Sequence, residues 1–257
     1  MLVGAPKAGN VWLKHLLSDL YEIPMVDVGG LVDPRTKLTG PSFVTHQHIL
    51  PRKDFVSWGA EEQVHFIALA RHPGDLFLSL YHYVQNYGPS WKKAGNLGSA
   101  PSHEMLGHSL SSRAVLDYLA GNFFEECLGK SLQWVDSQGT PFVRYEDLHE
   151  KGVETLQGLG KILGPLSRQH IEKTLEKHSF KRMKRFAGWR MKRHFRSGST
   201  GEWQNRLGAD HIAAIAQRHQ PALAKFDYTL QVDPAAIHAS SKTKGPINFF
   251  AKWFGSG

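Results

Sequence analysis

The sequence predicts an α/β fold, with one central parallel sheet, helices on both of its faces, and a single domain. Three observations predict it. Short apolar runs recur at Met1–Ala5, Phe43–Thr45, Val64–Ala70 and Phe142–Arg144. Longer amphipathic runs separate them. The run Val64–Ala70 is apolar except for His65, as expected of a strand covered on both faces. Strands alternating with helices form crossover units, and these build a parallel sheet.

Met1–Ala5 reads as the first strand, stopped by Pro6 and Gly9. A helix follows over Asn10–Tyr21, with Trp12, Leu13, Leu16, Leu17 and Leu20 on one face. Phe43–Thr45 is the second strand and Val64–Ala70 the third. Pro73 opens another helix, because its fixed φ suits the first helical position. Ser111–Ser137 reads as one long helical pattern. The strand Phe142–Arg144 leads into Tyr145-Glu146-Asp147-Leu148. Gly152–Leu163, Arg168–Lys177 and Ala209–Phe226 complete the helical patterns. From about Val232 the chain turns Ala/Ser/Lys-rich and ends in an apolar hook at Phe249, Phe250, Trp253 and Phe254. The expected division is a folded body over residues 1–231 and a tail over 232–257 that docks on it or touches a partner or membrane surface.

Composition bounds the function. Of 257 residues, 41% are apolar and 21% charged, which suits a globular domain and argues against disorder. The single cysteine, Cys127, excludes an intrachain disulfide and a Cys-rich zinc site. No apolar run approaches the ~18 residues of a membrane helix. Met1–Pro6 lacks the basic start and apolar core of a signal peptide. The expectation is a soluble, cytoplasmic protein. The net charge of +8 points to an anionic partner: nucleic acid, a membrane surface or a polyanionic small molecule.

Ligands of open parallel sheets sit beyond the C-terminal strand ends. The segment Gly4–Trp12 joins the first strand to the first helix there. Such a glycine loop aims backbone N–H groups and the positive helix end at an anion. Gly4 and Gly9 have the spacing of the G-x-x-x-x-G-K-[ST] loop, which makes the sheet P-loop-like. Asn10 and Val11 follow, however, in place of Lys and Ser/Thr. The hydroxyl that would hold Mg²⁺ is absent, and the lysine lies inside the loop as Lys7. This pattern fits phosphate binding without a metal. An ordinary Gly/Pro turn that contains a lysine fits it too.

Pro6-Lys7-Ala8-Gly9-Asn10-Val11-Trp12 resembles the P-K-x-G-[TN]-x-W loop of cytosolic-type sulfotransferases, and the chain looks like a bacterial-type member. Four more segments agree in family order. Arg71-His72-Pro73-Gly74-Asp75 through Ser79 resembles R-[NDH]-P-x-D-x-x-x-S. Tyr145-Glu146-Asp147-Leu148 resembles Y-E-D-[LM]. His178-Ser179-Phe180-Lys181-Arg182-Met183 resembles [TH]-S-F-x-x-[ML]. Arg196-Ser197-Gly198-Ser199-Thr200-Gly201-Glu202-Trp203 resembles R-[KS]-G-x-x-G-[DE]-W.

The resemblance implies transfer of a sulfuryl group from 3′-phosphoadenosine 5′-phosphosulfate (PAPS) to an acceptor, with no metal. It implies that Lys7, Ala8, Gly9, Asn10, Val11 and Trp12 hold the 5′-phosphosulfate. Arg71, a helix-start hydroxyl at Ser79, and Arg196, Ser197 and Gly198 would hold the 3′-phosphate. Tyr145 would lie near the adenine, and Phe180 and Trp12 would stack on it. Lys7 would neutralise charge on the bridging oxygen. Thr45-His46 resembles the family's K-T-H-x-P region, which makes His46 the general base and leaves His48 as the alternative.

Val44, Val11 and Ser197 depart from common family residues and remove a charge, a hydroxyl and a charge respectively. The acceptor is not legible: a small molecule, a carbohydrate or a lipid would serve. Tyr81, Tyr83, Tyr87 and Trp91 suggest a pocket for a ring, or a packed helix end. Three other readings compete: a metal-dependent phosphoryl transferase, a nucleic-acid-binding protein with aromatic residues among basic ones, and a PAPS-binding pseudoenzyme. Lys181–Arg196 holds eight Lys+Arg and no acid, and without it the chain carries 23 residues of each sign. The excess charge is therefore local, which favours a nucleotide site over a nucleic-acid-coating surface. It leaves room for a peripheral membrane contact.

Overall fold

The computed structural model describes residues 1–28, 35, 42–93, 101–186 and 198–230. The expected ligands Arg196 and Ser197, most of the basic strip and the tail 232–257 lie outside these residues. Four parallel strands form one sheet in the order β2-β1-β3-β4. They are β1 (Leu2–Gly4), β2 (His46–Gln47), β3 (Ile67–Ala70) and β4 (Phe142–Arg144). Leu2 lies between His46 and Ile67, and Ala70 pairs with Arg144.

The second strand sits later than the expected Phe43–Thr45. Val44 is taken up by another partner: it forms an isolated parallel bridge with Met25 and bonds to Pro24 and Val26. The ladder with β1 therefore starts as Leu2 donates to the Thr45 carbonyl, and it continues through His46.

Strand alternation sorts the core onto two faces. Leu2, Ile67, Leu69 and Val143 join the larger cluster. Helices α1 (Asn10–Leu20) and α3 (Pro73–Lys93) cover this side with Leu13, Leu16, Leu17, Leu76 and Leu80. Val3 and Ala68 face the other way, against Phe55 of α2 (Lys53–Glu61) and Trp134 of α5 (Asn122–Gln138). The sequence pattern had not marked α2.

The expected helix over Ser111–Ser137 is two helices. α4 (Arg113–Ala120) starts at Ser112, whose side chain accepts from the Val115 N–H. It ends at Gly121, whose extended backbone (φ −88°, ψ 166°) turns the chain into α5. A Cβ at Gly121 would lie 2.8 Å from the Asp117 carbonyl oxygen. Then come α6 (Tyr145–Glu150), α7 (Gly152–Leu163), α8 (Arg168–Lys177), α9 (Phe180–Phe186) and α10 (Trp203–Arg206). The pattern over Ala209–Phe226 breaks at His219 into α11 (Ala209–Arg218) and α12 (Gln220–Lys225), with Pro221 in the first turn of the second. No described helix is long and apolar enough to cross a membrane.

The four strand ends point the same way. After β1 comes the loop with Lys7, after β2 His48, after β3 Arg71, and after β4 Tyr145. One wall thus gathers residues more than a hundred positions apart.

Candidate active site

A cavity of about 910 Å³ opens at these strand ends. Lys7, Gly9, Asn10, Val11, Trp12, His46, Arg71, Ser79, Tyr145, Phe180 and Gly198 all line it. Ala8 belongs to the same loop, but its methyl group is buried in the core. Ser79 is not at the helix start: it sits in the second turn of α3, which opens at Pro73.

The loop is held in a demanding shape. Lys7 and Gly9 are both left-handed, with φ of 68° and 101°. A Cβ at Gly9 would lie 2.6 Å from the Tyr145 ring, so only glycine lets the loop lie against that ring. The Arg71 guanidinium donates to the carbonyls of Lys7 (3.2 Å) and Ser199 (3.3 Å). It also lies over the Tyr145 ring at 4.4 Å. Its Nε is buried with no hydrogen-bond partner among the described residues. The Lys7 ammonium lies 4.3 Å over the Tyr83 ring. Desolvation, and then the Arg71 charge, lower its pKa to about 8.

The other end of the cavity is aromatic. Trp12 meets Tyr145 edge-on at 5.8 Å, and its indole N–H donates to the His178 carbonyl at 3.0 Å. Gly198 is left-handed, and a Cβ there would lie 2.2 Å from the Phe180 ring. The chain therefore runs flat across Phe180. The sequence reading missed His149, which lies 6.4 Å from Trp12 and 6.2 Å from Tyr145. It also missed Leu148, Leu175, Ser179 and Met183 in the lining. A usable signal was present for His149, which stands four residues after Tyr145 on one helix. Of the tyrosines suggested for a ring pocket, Tyr83 lines the cavity, whereas Tyr81 donates to the His108 carbonyl.

Two histidines stand beside Lys7. The His46 and His48 rings are 5.5 Å apart and inclined by 64°. Among the described residues His46 Nδ1 is buried without a partner, whereas His48 Nδ1 lies 3.0 Å from the Gly4 carbonyl. Burial is the main cause that lowers both pKa values to about 4. At His46 the neighbouring His48 and Lys14 push the same way and Asp27 opposes them, and at His48 the Gly4 hydrogen bond opposes while Lys130 and Lys7 add to the lowering.

Asp75 does not face Arg71 as an ion pair. It accepts from the Gly201 N–H (2.6 Å) and the Trp203 N–H (3.0 Å). It thereby fastens the turn that follows Gly198 onto α3. The His72 ring stacks flat on Trp203 at 4.4 Å, and the His72 backbone N–H donates to Glu146.

A sequence profile described as the sulfotransferase domain matches residues 37–227, most of the chain. The chain belongs to the PAPS-dependent sulfotransferase family. The matched stretch holds His46, Arg71, Ser79, Tyr145 and Phe180, and it begins after the Lys7 loop. Among relatives, cytosolic sulfotransferase 14 of Arabidopsis thaliana is 31% identical over 156 residues, which is 59% of this chain and 39% of that protein. Sulfotransferase 6B1 of Mus musculus is 21% identical, across 87% of this chain and 76% of its own length. Mouse sulfotransferase SULT7A1 complexed with PAP superposes with a TM-score of 0.64 at 19% identity, over 88% of this chain and 84% of that one. Retinol dehydratase in complex with androsterone and inactive cofactor PAP gives 0.52 at 15% identity, over 79% and 59%. At these identities the two structures bear on the fold, which is that of the sulfotransferases.

Proposed function

We propose that this sulfotransferase moves a sulfuryl group from PAPS to a hydroxyl or amine of a small-molecule, carbohydrate or lipid acceptor, releasing adenosine 3′,5′-bisphosphate. One observation carries this reading. Among the described residues, no Asp or Glu lines the cavity, while Lys7, Arg71, His46, His48 and His149 do. A desolvated lysine and a guanidinium with an unpartnered buried Nε fit a polyanion and nothing neutral. The aromatic end fits a purine, and the solved relatives hold PAP.

PAPS, when bound, supplies an activated sulfuryl group on a good leaving group. The protein's part is positioning and charge stabilisation. The N–H groups of Ala8 to Trp12 and the Lys7 ammonium serve the 5′-phosphosulfate end. Lys7 balances charge on the bridging oxygen. Arg71 and Ser79 serve the 3′-phosphate, together with Arg196, Ser197 and Gly198. Trp12, Phe180 and Tyr145 enclose the adenine. His46 takes the acceptor's proton and is neutral at pH 7, as a base must be. The domain spans 1–231 in this reading, with 232–257 as a tail.

A thermal melt tests it. Adenosine 3′,5′-bisphosphate at a hundred times its Kd, without Mg²⁺, adds about 2.7 kcal/mol of stability. For a chain of this size that raises the melting point by roughly 5–10 °C. No shift at millimolar ligand, or a shift with ATP that requires Mg²⁺, overturns the reading.

A further inference from the structure

We propose that His48 is a second proton acceptor of the site, and that it works with His46 as one two-imidazole unit that is neutral at rest and takes up a single proton in the reaction. This rests on the cavity being a group-transfer site, as proposed above, and replaces the choice between His46 and His48 as sole base with a joint role for both.

The argument starts from a hydrogen bond. His48 Nδ1 lies 3.0 Å from the Gly4 carbonyl. A carbonyl only accepts, so the proton of the neutral ring is on Nδ1. The lone pair is then on Nε2. Gly4 ends β1 and opens the Lys7 loop, so the bond also ties the ring to the loop it serves. His48 lines the cavity together with His46 and Lys7. Its ring thus presents a base of fixed tautomer to the space where an acceptor must lie.

The single charge follows from the neighbours. Lys7 faces His48 from the loop and Lys130 faces it from α5. Lys14, on α1, acts on His46 in the same direction, and Asp27 is the only carboxylate among the described residues that acts on that ring. Two imidazolium rings 5.5 Å apart among these cations would repel strongly. One proton on the pair is held more easily than two, and the pair titrates as a unit. In the reaction, the acceptor's O–H bond breaks and an imidazole N–H bond forms. The acceptor oxygen bonds to sulfur as the bond from sulfur to the bridging phosphate oxygen breaks. The proton rests on the pair and leaves to water with the products.

The test separates the two ring nitrogens. In His48→Asn the amide takes the place of Nδ1, so it keeps a donor to Gly4 and removes Nε2. In protein labelled with ¹⁵N at histidine, long-range ¹H–¹⁵N spectra at pH 7 should show His48 protonated at Nδ1 and bare at Nε2. On acidification the pair should take up one proton before a second, and His48→Asn should raise the pKa of His46. An Nε2-protonated His48, or two rings that charge together and ignore each other's replacement, overturns the proposal. With PAPS and 4-nitrophenol, His48→Asn should release adenosine 3′,5′-bisphosphate at least tenfold more slowly than the unaltered protein. Release at the unaltered rate means that the ring only pins Gly4, and the proposal falls. Loss of bisphosphate binding by the unaltered protein would instead defeat the sulfotransferase reading, while the spectra still decide the pair.

Discussion

Two neighbouring regions are built from buried charge in opposite ways. Around Lys7 and Arg71 the charge is positive and underprovided: among the described residues Arg71 Nε has no partner, and the Lys7 ammonium lies over a tyrosine face with the Arg71 charge acting against it. A few residues away, Asp75 holds two backbone N–H groups, and Glu146 accepts from the His72 N–H and the Tyr228 hydroxyl. The second region is satisfied by the protein itself, so its contribution is to stability. The first is completed only by something from outside, so its contribution is to binding and chemistry. Substitutions should divide the same way.

The largest effect belongs to the cationic region. In the proposed mechanism Lys7→Ala removes the charge that balances the leaving oxygen, and His46→Ala removes the base. Each should lower turnover by roughly a hundredfold or more. Neither should lower the melting point of the ligand-free protein, because each removes a poorly solvated group. Full turnover in both variants ends the assignment of roles. A large fall in melting point in either shows that the two regions are not distinct.

Asp75→Ala should do the reverse. It leaves two buried N–H groups without an acceptor, at about 1–3 kcal/mol each. A total near 3 kcal/mol lowers the melting point by roughly 10 °C. Activity per folded molecule should fall less than in Lys7→Ala. A melting point within 2 °C or so of the unaltered protein would mean that the turn after Gly198 is fastened by something else.

The sequence shows the cationic region far better than the satisfied one, and the reason is physical. A phosphate loop needs glycine where a side chain would collide, as at Gly9 against Tyr145, and a cation at a fixed place, as at Lys7. Those demands fall on adjacent residues and leave a readable string. The ends of the first, third and fourth strands were legible to within a residue for the same reason, since unbroken apolar runs are local. Asp75 with Gly201 and Trp203 is a contact across 126 and 128 positions, and nothing near Asp75 announces it. The second strand was misplaced because Val44 pairs with Met25, a competing partner that its own apolar run does not reveal. The helix breaks at Gly121 and His219 were hidden because the apolar pattern continues through both. His46 was read from two matched residues, and the ring beside it, which shares its burial, could not be ranked against it.

The smallest expected effect is a pH dependence, and it sharpens the comparison from the cationic side. Lys7 has a pKa near 8 in the free protein and is charged below it. His46 and His48, near 4, are neutral above it. The profile of kcat/KM reports the free enzyme and should therefore be flat from about pH 5 to 7, with limbs near 4 and 8. Folding follows the same groups. An unfolded histidine binds its proton near 6.5, so between 6.5 and 4 the unfolded chain holds more protons and stability is lost as pH falls. Between about 8 and 10.5 the unfolded lysine is the more protonated, so stability rises with pH there. A bound polyanion favours the charged form of Lys7 and of the histidine pair, so it lifts all three pKa values. The alkaline limb of kcat, which reports the donor complex, should then lie above that of kcat/KM. At pH 8 the difference amounts to about twofold, as expected of a group half-titrated in one state and fully charged in the other. Coincident alkaline limbs would mean that Lys7 does not face the bound donor.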